Sequence, residues 1–176
     1  MPKASIIKGK RLYLRGLEKN DASQNYCNWL NDPKVNCFLE TRYVEHDLNS
    51  IRAFISNKNA SDDEYLMGIF ECKNDRHVGN IKIGPIRSHH CLADVSLFIG
   101  DRSVWGKGYA SESIVIATNF AFINLKLRKL NASIYENNVA SIRAFSKAGW
   151  SQEANLPKHY LFNGKETNIV IMGIRP

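Results

Sequence analysis

Between residues 65 and 99 the apolar positions recur every second residue, in three runs: Tyr65 to Cys72, Val78 to Ile83 and Leu92 to Ile99. Period-2 alternation is the mark of half-buried strands. Asn74-Asp75 and Gly84-Pro85 stand between the runs as turn signals, so the three strands are expected to form an antiparallel meander. Upstream, Arg11-Leu-Tyr-Leu-Arg15 predicts one more strand. It is followed by two stretches with helical spacing. In Asp21 to Leu30 the repeating positions are Tyr26, Trp29 and Leu30, and Asn31-Asp32-Pro33 is expected to stop the helix. From about Asp47 to Ser56 the stripe is Leu48, Ile51, Phe54 and Ile55, and the polar stretch Asn57 to Asp63 reads as a loop. Beyond the meander, Ala110 to Leu125 carries Ile114, Ala117, Ala121 and Leu125 on one face and predicts a buried helix. Lys129 to Tyr135 predicts a strand, and Asn138 to Ala148 a short helix ended by Gly149. Two last strands are expected around an Asn163-Gly164 hairpin turn. No internal repeat or low-complexity linker interrupts this order.

Composition narrows the class. A chain of 176 residues suits a single domain over 1–176, and 44% apolar with 23% charged residues is ordinary for a folded protein. Its longest apolar stretch, Ile114 to Ile123, is broken by Thr118 and Asn119 and falls short of the ~18 residues of a membrane span. The first residues, Met-Pro-Lys-Ala-Ser-Ile-Ile-Lys, lack the apolar segment of a secretory signal, so a cytoplasmic location is expected. Cys27, Cys37, Cys72 and Cys91 form no C-x-x-C pair, which points to four reduced thiols and no metal. Lysine and arginine outnumber the acids by 24 to 17, and Lys3, Lys8, Lys10, Arg11, Arg15 and Lys19 crowd the start of the chain. That surplus favours an anionic ligand or partner.

The candidate anion site is the turn at Gly106 and Gly108, which follows a predicted strand and opens the long helix. Backbone N–H groups at a helix start are unpaired and lie at the positive end of its dipole, and glycine lets a bulky anion reach them. A plain tight turn is the alternative. The P-loop pattern fails, because Gly100 precedes Gly106 by one residue too many and Gly108 occupies the hydroxyl position. A dinucleotide fingerprint would put Ser111 at its third glycine, with Glu136 as a ribose ligand, but it follows a meander rather than opening a β-α-β unit.

The run Ala93-Asp-Val-Ser-Leu-Phe-Ile-Gly-Asp-Arg-Ser-Val-Trp-Gly-Lys-Gly-Tyr-Ala-Ser-Glu112 resembles the acyl-CoA site of the GCN5-related N-acetyltransferase (GNAT) superfamily. Asn138-Val-Ala-Ser-Ile-Arg-Ala-Phe-Ser-Lys-Ala-Gly-Trp150 resembles that family's later helix and strand. Arg11 to Arg15 and Trp29-Leu-Asn-Asp-Pro33 are similar to the branch that acetylates ribosomal-protein N-termini. The resemblance implies an α/β (α+β) fold: a mixed, mostly antiparallel twisted sheet of about seven strands with about four helices, holding acyl-CoA between splayed central strands. It also implies direct transfer of an acetyl group from acetyl-CoA to a primary amine in a ternary complex, with no metal.

On this resemblance the pyrophosphate is held by backbone amides from Gly106 through Lys107, Gly108 and Tyr109 to Ala110, with the Lys107 charge nearby. Trp105 stands where the family usually has Gln or Arg. The pantetheine arm is expected to pair like an added strand along Leu97, Phe98 and Ile99. Asn138 and Ser141 would hydrogen-bond it, although Asn138 also suits a helix cap. Asp94 falls where relatives carry a general-base Glu; it could act through water, or be an exposed strand residue. An α-amine titrating at about 7.7 to 8.0 needs only a weak base. Phe145 occupies the position of the usual thiolate-protonating Tyr and has no proton to give, so Ser141 is the candidate replacement, with water or the attacking amine as alternatives. Cys91 beside His90 is rejected as a nucleophile, since strand neighbours point to opposite faces.

The rival from another class is a non-catalytic module that senses acyl-CoA or binds RNA. RNA readers interleave basic and stacking aromatic residues, and only Tyr13 between Arg11 and Arg15 fits that pattern. Partners are thus expected to be acetyl-CoA and an amine acceptor, with no membrane, nucleic acid only indirectly through a ribosomal protein, and a homodimer left open. The acceptor could be a peptide N-terminus, a polyamine, an aminoglycoside or an amino sugar. Trp29, Phe38, Glu40, Arg42, Tyr43 and Tyr160 are the candidates for its pocket.

Overall fold

The computed structural model describes residues 6–176. The start of the chain, including Lys3 and most of the segment read above for a leader, lies outside the described residues. Strands β1 (Ile7–Lys8), β2 (Leu12–Gly16), β3 (Tyr65–Glu71), β4 (His77–Arg87), β5 (Leu92–Ile99), β6 (Lys129–Tyr135), β7 (Ser151–Phe162) and β8 (Lys165–Ile174) form one sheet in the order β1-β2-β3-β4-β5-β6-β8-β7. Five α-helices accompany it: α1 (Gln24–Asn31), α2 (Pro33–Asn36), α3 (Leu48–Ala60), α4 (Tyr109–Ile123) and α5 (Val139–Lys147).

The expected counts of about seven strands and four helices are corrected to eight and five. The extra strand is the two-residue Ile7–Lys8, too short to show a period. The extra helix starts where a stop was expected: Asp32 caps it by accepting from the Lys34 N–H at 2.9 Å, and Pro33 takes its first position. Proline suits that position because its missing N–H has no helical partner there. Gly84-Pro85 is also no turn. β4 runs on to Arg87, the glycine and proline fall in a register shift between Ile83 and Ile86, and the chain reverses at Ser88–His90. Cys91 then adopts φ 47° just before β5, so the strand argument used against it above does not apply. The polar residues from Asn57 to Ala60 extend α3 on its outer side.

Two cores flank the sheet. Alternation along β5 sends Ala93 and Val95 into the larger one, with Ile114, Ala117 and Ala121 of α4 and Ala144 and Phe145 of α5. The smaller core holds Tyr26 and Leu30 of α1, Ile51 and Ile55 of α3, and Phe70, with Phe98 of β5 packed against it. The meander β3-β4-β5 is antiparallel as expected, whereas β5 and β6 run parallel. That parallel pairing covers only Leu92–Asp94 against Lys129–Asn131. Further along, β5 stays bonded to β4 and β6 to β8, so the two strands part at the centre of the sheet.

Candidate acetyl-transfer site

Past Asp94 the opening between β5 and β6 leaves the stretch from Leu97 to Ile99 without a strand partner on one side, because β5 stays paired there only with β4 and β6 only with β8. An unpaired strand edge can accept an extended amide chain by ordinary ladder hydrogen bonding. Leu97 and Ile99 lean on the larger core and Phe98 on the smaller one, which fixes the edge in place.

The glycine turn lies just beyond. Gly106 and Gly108 have φ of 75° and 79°, a region costly for residues with a Cβ. Gly108 is the N-cap of α4 and offers no side chain to the helix start. The N–H groups of Tyr109, Ala110 and Ser111 find no acceptor among the described residues. A Cβ on Gly106 would meet nothing within 4 Å, so the turn is open to solvent. Open space, unpaired donors and the positive end of a 15-residue helix together fit a phosphate. Lys107 is exposed beside them. Trp105 donates its indole N–H to the Ile99 carbonyl at 2.9 Å, which ties the loop to the end of β5.

Two carboxylates brace this loop. Glu112 accepts from the Arg11 backbone N–H at 2.6 Å, from Arg11 Nε at 2.7 Å and from the Leu12 N–H at 3.2 Å. Arg11 Nη1 in turn donates to the Lys107 carbonyl at 2.9 Å, and its Nη2 would lie 3.7 Å from a Cβ on Gly108. On the other side Glu71, 1% exposed, accepts from the Tyr109 hydroxyl at 2.6 Å and from Arg76 at 2.9 Å. Burial pushes the Glu71 carboxyl up, but the hydrogen bonds from Tyr109 and Arg76 and the nearby cations outweigh it, leaving the pKa lowered to about 2. Sequence alone read Arg11 as surplus charge, as the start of a strand and as part of the branch resemblance, with no link to the glycine turn, and left Glu71 unnoticed. The signal for Glu71 was an acid inside an otherwise apolar strand.

Asp94 lies on the face of β5 that carries Phe98, and its Oδ2 pairs with Arg87 at 3.0 Å. Ser141 lies on α5, which packs against the opposite face. The two therefore lie on opposite faces of the sheet. Asn138 caps α5, accepting from the Ser141 N–H at 3.2 Å. Phe145 is 1% exposed and wedged against Trp150 with ring centroids 4.7 Å apart, so it serves as packing.

Five of the six pocket candidates converge on one residue that the sequence did not single out, Tyr135. Leu130, Ala132 and Ile134 of β6 face the larger core, so Tyr135 turns to the other face. Its hydroxyl donates to Glu40 Oε1 at 2.5 Å and accepts from Arg42 at 3.2 Å. Phe38 and Tyr160 pack on its ring at 6.1 and 5.7 Å, and Tyr43 is bonded to Arg42. Phe162, stacked on Phe38 at 5.2 Å, completes the cluster. Burial leads in raising the Tyr135 pKa, and the bond to Glu40 adds to it. Trp29 stands apart: a Cβ on Gly100 would fall 2.2 Å from its ring, and its centroid is 5.1 Å from that of His77. It packs against the smaller core.

A sheet that parts beside an open, glycine-built helix start defines an acyl-CoA-type site. The family model described as an acetyltransferase (GNAT) domain matches residues 11–151, and the chain belongs to that family of acetyl-CoA-dependent acetyltransferases. It is 29% identical over 167 residues to the Probable N-acetyltransferase YjcK of Bacillus subtilis (strain 168), covering 90% of this chain and 91% of that one. It is 24% identical to the spermidine N(1)-acetyltransferase of Escherichia coli (strain K12), covering 99% and 88%. Among solved structures it resembles spermidine N-acetyltransferase from Vibrio cholerae in complex with CoA and spermine, with a TM-score of 0.84, 20% identity, and 95% and 96% of the two chains covered.

Proposed function

We propose that the protein moves the acetyl group of acetyl-CoA to the primary amine of a small molecule or a peptide N-terminus by direct attack in a ternary complex, as a single catalytic domain. The observation that carries this reading is the parting of β5 from β6 beside the open Gly106–Ala110 turn. The Tyr109, Ala110 and Ser111 amides would hold the pyrophosphate, with Lys107 and Arg11 adding positive charge. The free edge of Leu97 to Ile99 would take the pantetheine amides, with Asn138 and Ser141 as side-chain partners. When bound, acetyl-CoA supplies an activated acyl carbon.

The chain's own residues then manage the amine and its protons. Asp94 receives a proton from the attacking nitrogen, directly or through water, on the oxygen that Arg87 does not hold. As the C–N bond forms the C–S bond breaks, and the departing sulfur takes a proton from water or from the Ser141 hydroxyl, which regains one from solvent as Asp94 gives its own up to solvent. An acceptor that arrives as an ammonium ion leaves one net proton in solution. The cluster around Tyr135 lies on the same face as Asp94 and forms the acceptor side. Relatives that act on spermidine support a small amine. The resemblance to the ribosomal-protein branch supports a peptide N-terminus within the same reading.

The test is release of free thiol from acetyl-CoA across a panel of amines. Thiol formed in step with acetylated amine is expected with at least one of them. A protein that is stabilised by acetyl-CoA yet releases no thiol with any amine would be a sensor, and the transfer reading would be wrong.

A further inference from the structure

Arg42 occupies the middle of the acceptor cluster in an unusual electrostatic setting. Its side chain is 9% exposed, and its guanidinium lies over the rings of Tyr43, Tyr135 and Phe162 at 4.3, 5.3 and 5.8 Å. Its three hydrogen bonds go to neutral oxygens: the Leu39 carbonyl at 2.9 Å and the hydroxyls of Tyr43 and Tyr135. Its nearest carboxylate oxygen, on Glu40, is 3.6 Å away, beyond a good hydrogen bond, and that side chain is 68% exposed. A guanidinium has five donors in a planar fork and takes carboxylate or phosphate in a bidentate grip. Here the fork meets no carboxylate in that way. It nevertheless borders open space, because Arg42, Tyr43 and Phe162 line a surface cavity of about 770 Å³ together with Asn36 and Asn163 and with one carboxylate, that of Glu45. A volume of that order accommodates a small-molecule ligand.

We propose that Arg42 selects the acceptor, and that the acceptor is a small amine which also carries an anionic group, a phosphate or a carboxylate, seated in this cavity. The proposal rests on the transfer reading above and names its substrate class. Aromatic rings favour a cation, but in this cage the cation is already supplied by the chain, so a free polyamine meets a like charge there. An acceptor with both charges has a partner for each in the cavity: its anion at Arg42 and its ammonium at the carboxylate of Glu45. A polyamine can use Glu45 but leaves Arg42 facing a like charge. The acceptor class of this chain thereby differs from that named for its spermidine-acetylating relatives.

The test uses amines matched in pairs that differ by one anion: glucosamine against glucosamine 6-phosphate for phosphate, and β-alanine amide against β-alanine for carboxylate, with spermidine as the polycation. Thiol release is followed with the wild-type chain, Arg42→Gln and Arg42→Lys. The anionic member of at least one pair is expected to have about ten-fold or higher kcat/KM, and to raise the melting temperature more than its neutral partner does. The preference should vanish in Arg42→Gln and survive in part in Arg42→Lys, which keeps the charge but not the fork. Stabilisation by acetyl-CoA should be the same in all three. Equal turnover within both pairs, a preference for spermidine, or an anion preference retained by Arg42→Gln overturns the proposal while leaving acetyl transfer standing. Silence with every amine overturns both.

Discussion

At Asp94 a carboxylate on the face of β5 that carries Phe98 is held by Arg87 at 3.0 Å, with 37% of its side chain exposed. As an exposed ion pair it would contribute under about 1 kcal/mol to stability. A role in proton transfer makes a different demand. Asp94→Asn should lower the rate with the acetyl-CoA KM unchanged, and the loss should shrink as pH rises and more of the acceptor is already neutral. A full rate at every pH would reduce the pair to a surface contact and leave positioning as the source of the rate. Alternation in Leu92 to Ile99 was enough to place Asp94 and Phe98 on one face. It could not supply Arg87, because that contact crosses the β4–β5 reversal, which the sequence placed at Gly84-Pro85.

At the level of elements, the long helix α4 was legible from its length of largely apolar sequence, and the meander from its period of two. Short pieces were not. β1 and α2 have two and four residues, fewer than a period needs to declare itself. The parting of β5 from β6 was also beyond period analysis; it came from family resemblance, since a period shows a strand's two faces and not how far its pairing extends. Helix α5 offers a direct test of two roles for one side chain. Asn138→Ala removes the cap on Ser141, which should cost about 1 kcal/mol of stability. If Asn138 also bonds the pantetheine arm, acetyl-CoA affinity should fall by about 1 kcal/mol as well, about five-fold. Thermal melts and calorimetric titration separate the two losses. Lower stability at unchanged affinity would make Asn138 a cap and nothing else.

Across the whole molecule, the glycine turn proposed to bind phosphate is held by residues far apart in sequence. Arg11 reaches it from before β2 through Glu112, and Glu71 reaches it from the end of β3 through Tyr109. Such contacts are set by how the strands stack, so no local pattern announced them, whereas the glycine turn they support was plain in Trp105-Gly-Lys-Gly108. The acceptor cluster was half legible: Phe38 to Tyr43 stood out by residue type, while Tyr135 and Phe162 read as strand residues. Glu71 gives the clamp a pH signature. Its folded pKa of about 2 lies below its ordinary 4.5, so its contribution to stability is present above about 4.5 and is lost as pH falls toward 2. Melting temperature should decline across that window, and Glu71→Gln should be less stable at neutral pH with a shallower acid decline; an identical acid profile in the variant would contradict the assignment. The central claim is that the Gly106–Ala110 turn grips acetyl-CoA, and it is tested most directly by ligand-induced stabilisation of Gly108→Val. At φ 79° the substitution is strained by an order of 1 to 3 kcal/mol, so a cooperative melt without ligand must first establish that the variant folds. At a ligand concentration of 100 Kd, acetyl-CoA should stabilise the wild-type chain by about 2.7 kcal/mol. The folded variant should show little or no such rise, and a rise equal to that of the wild type would contradict the account.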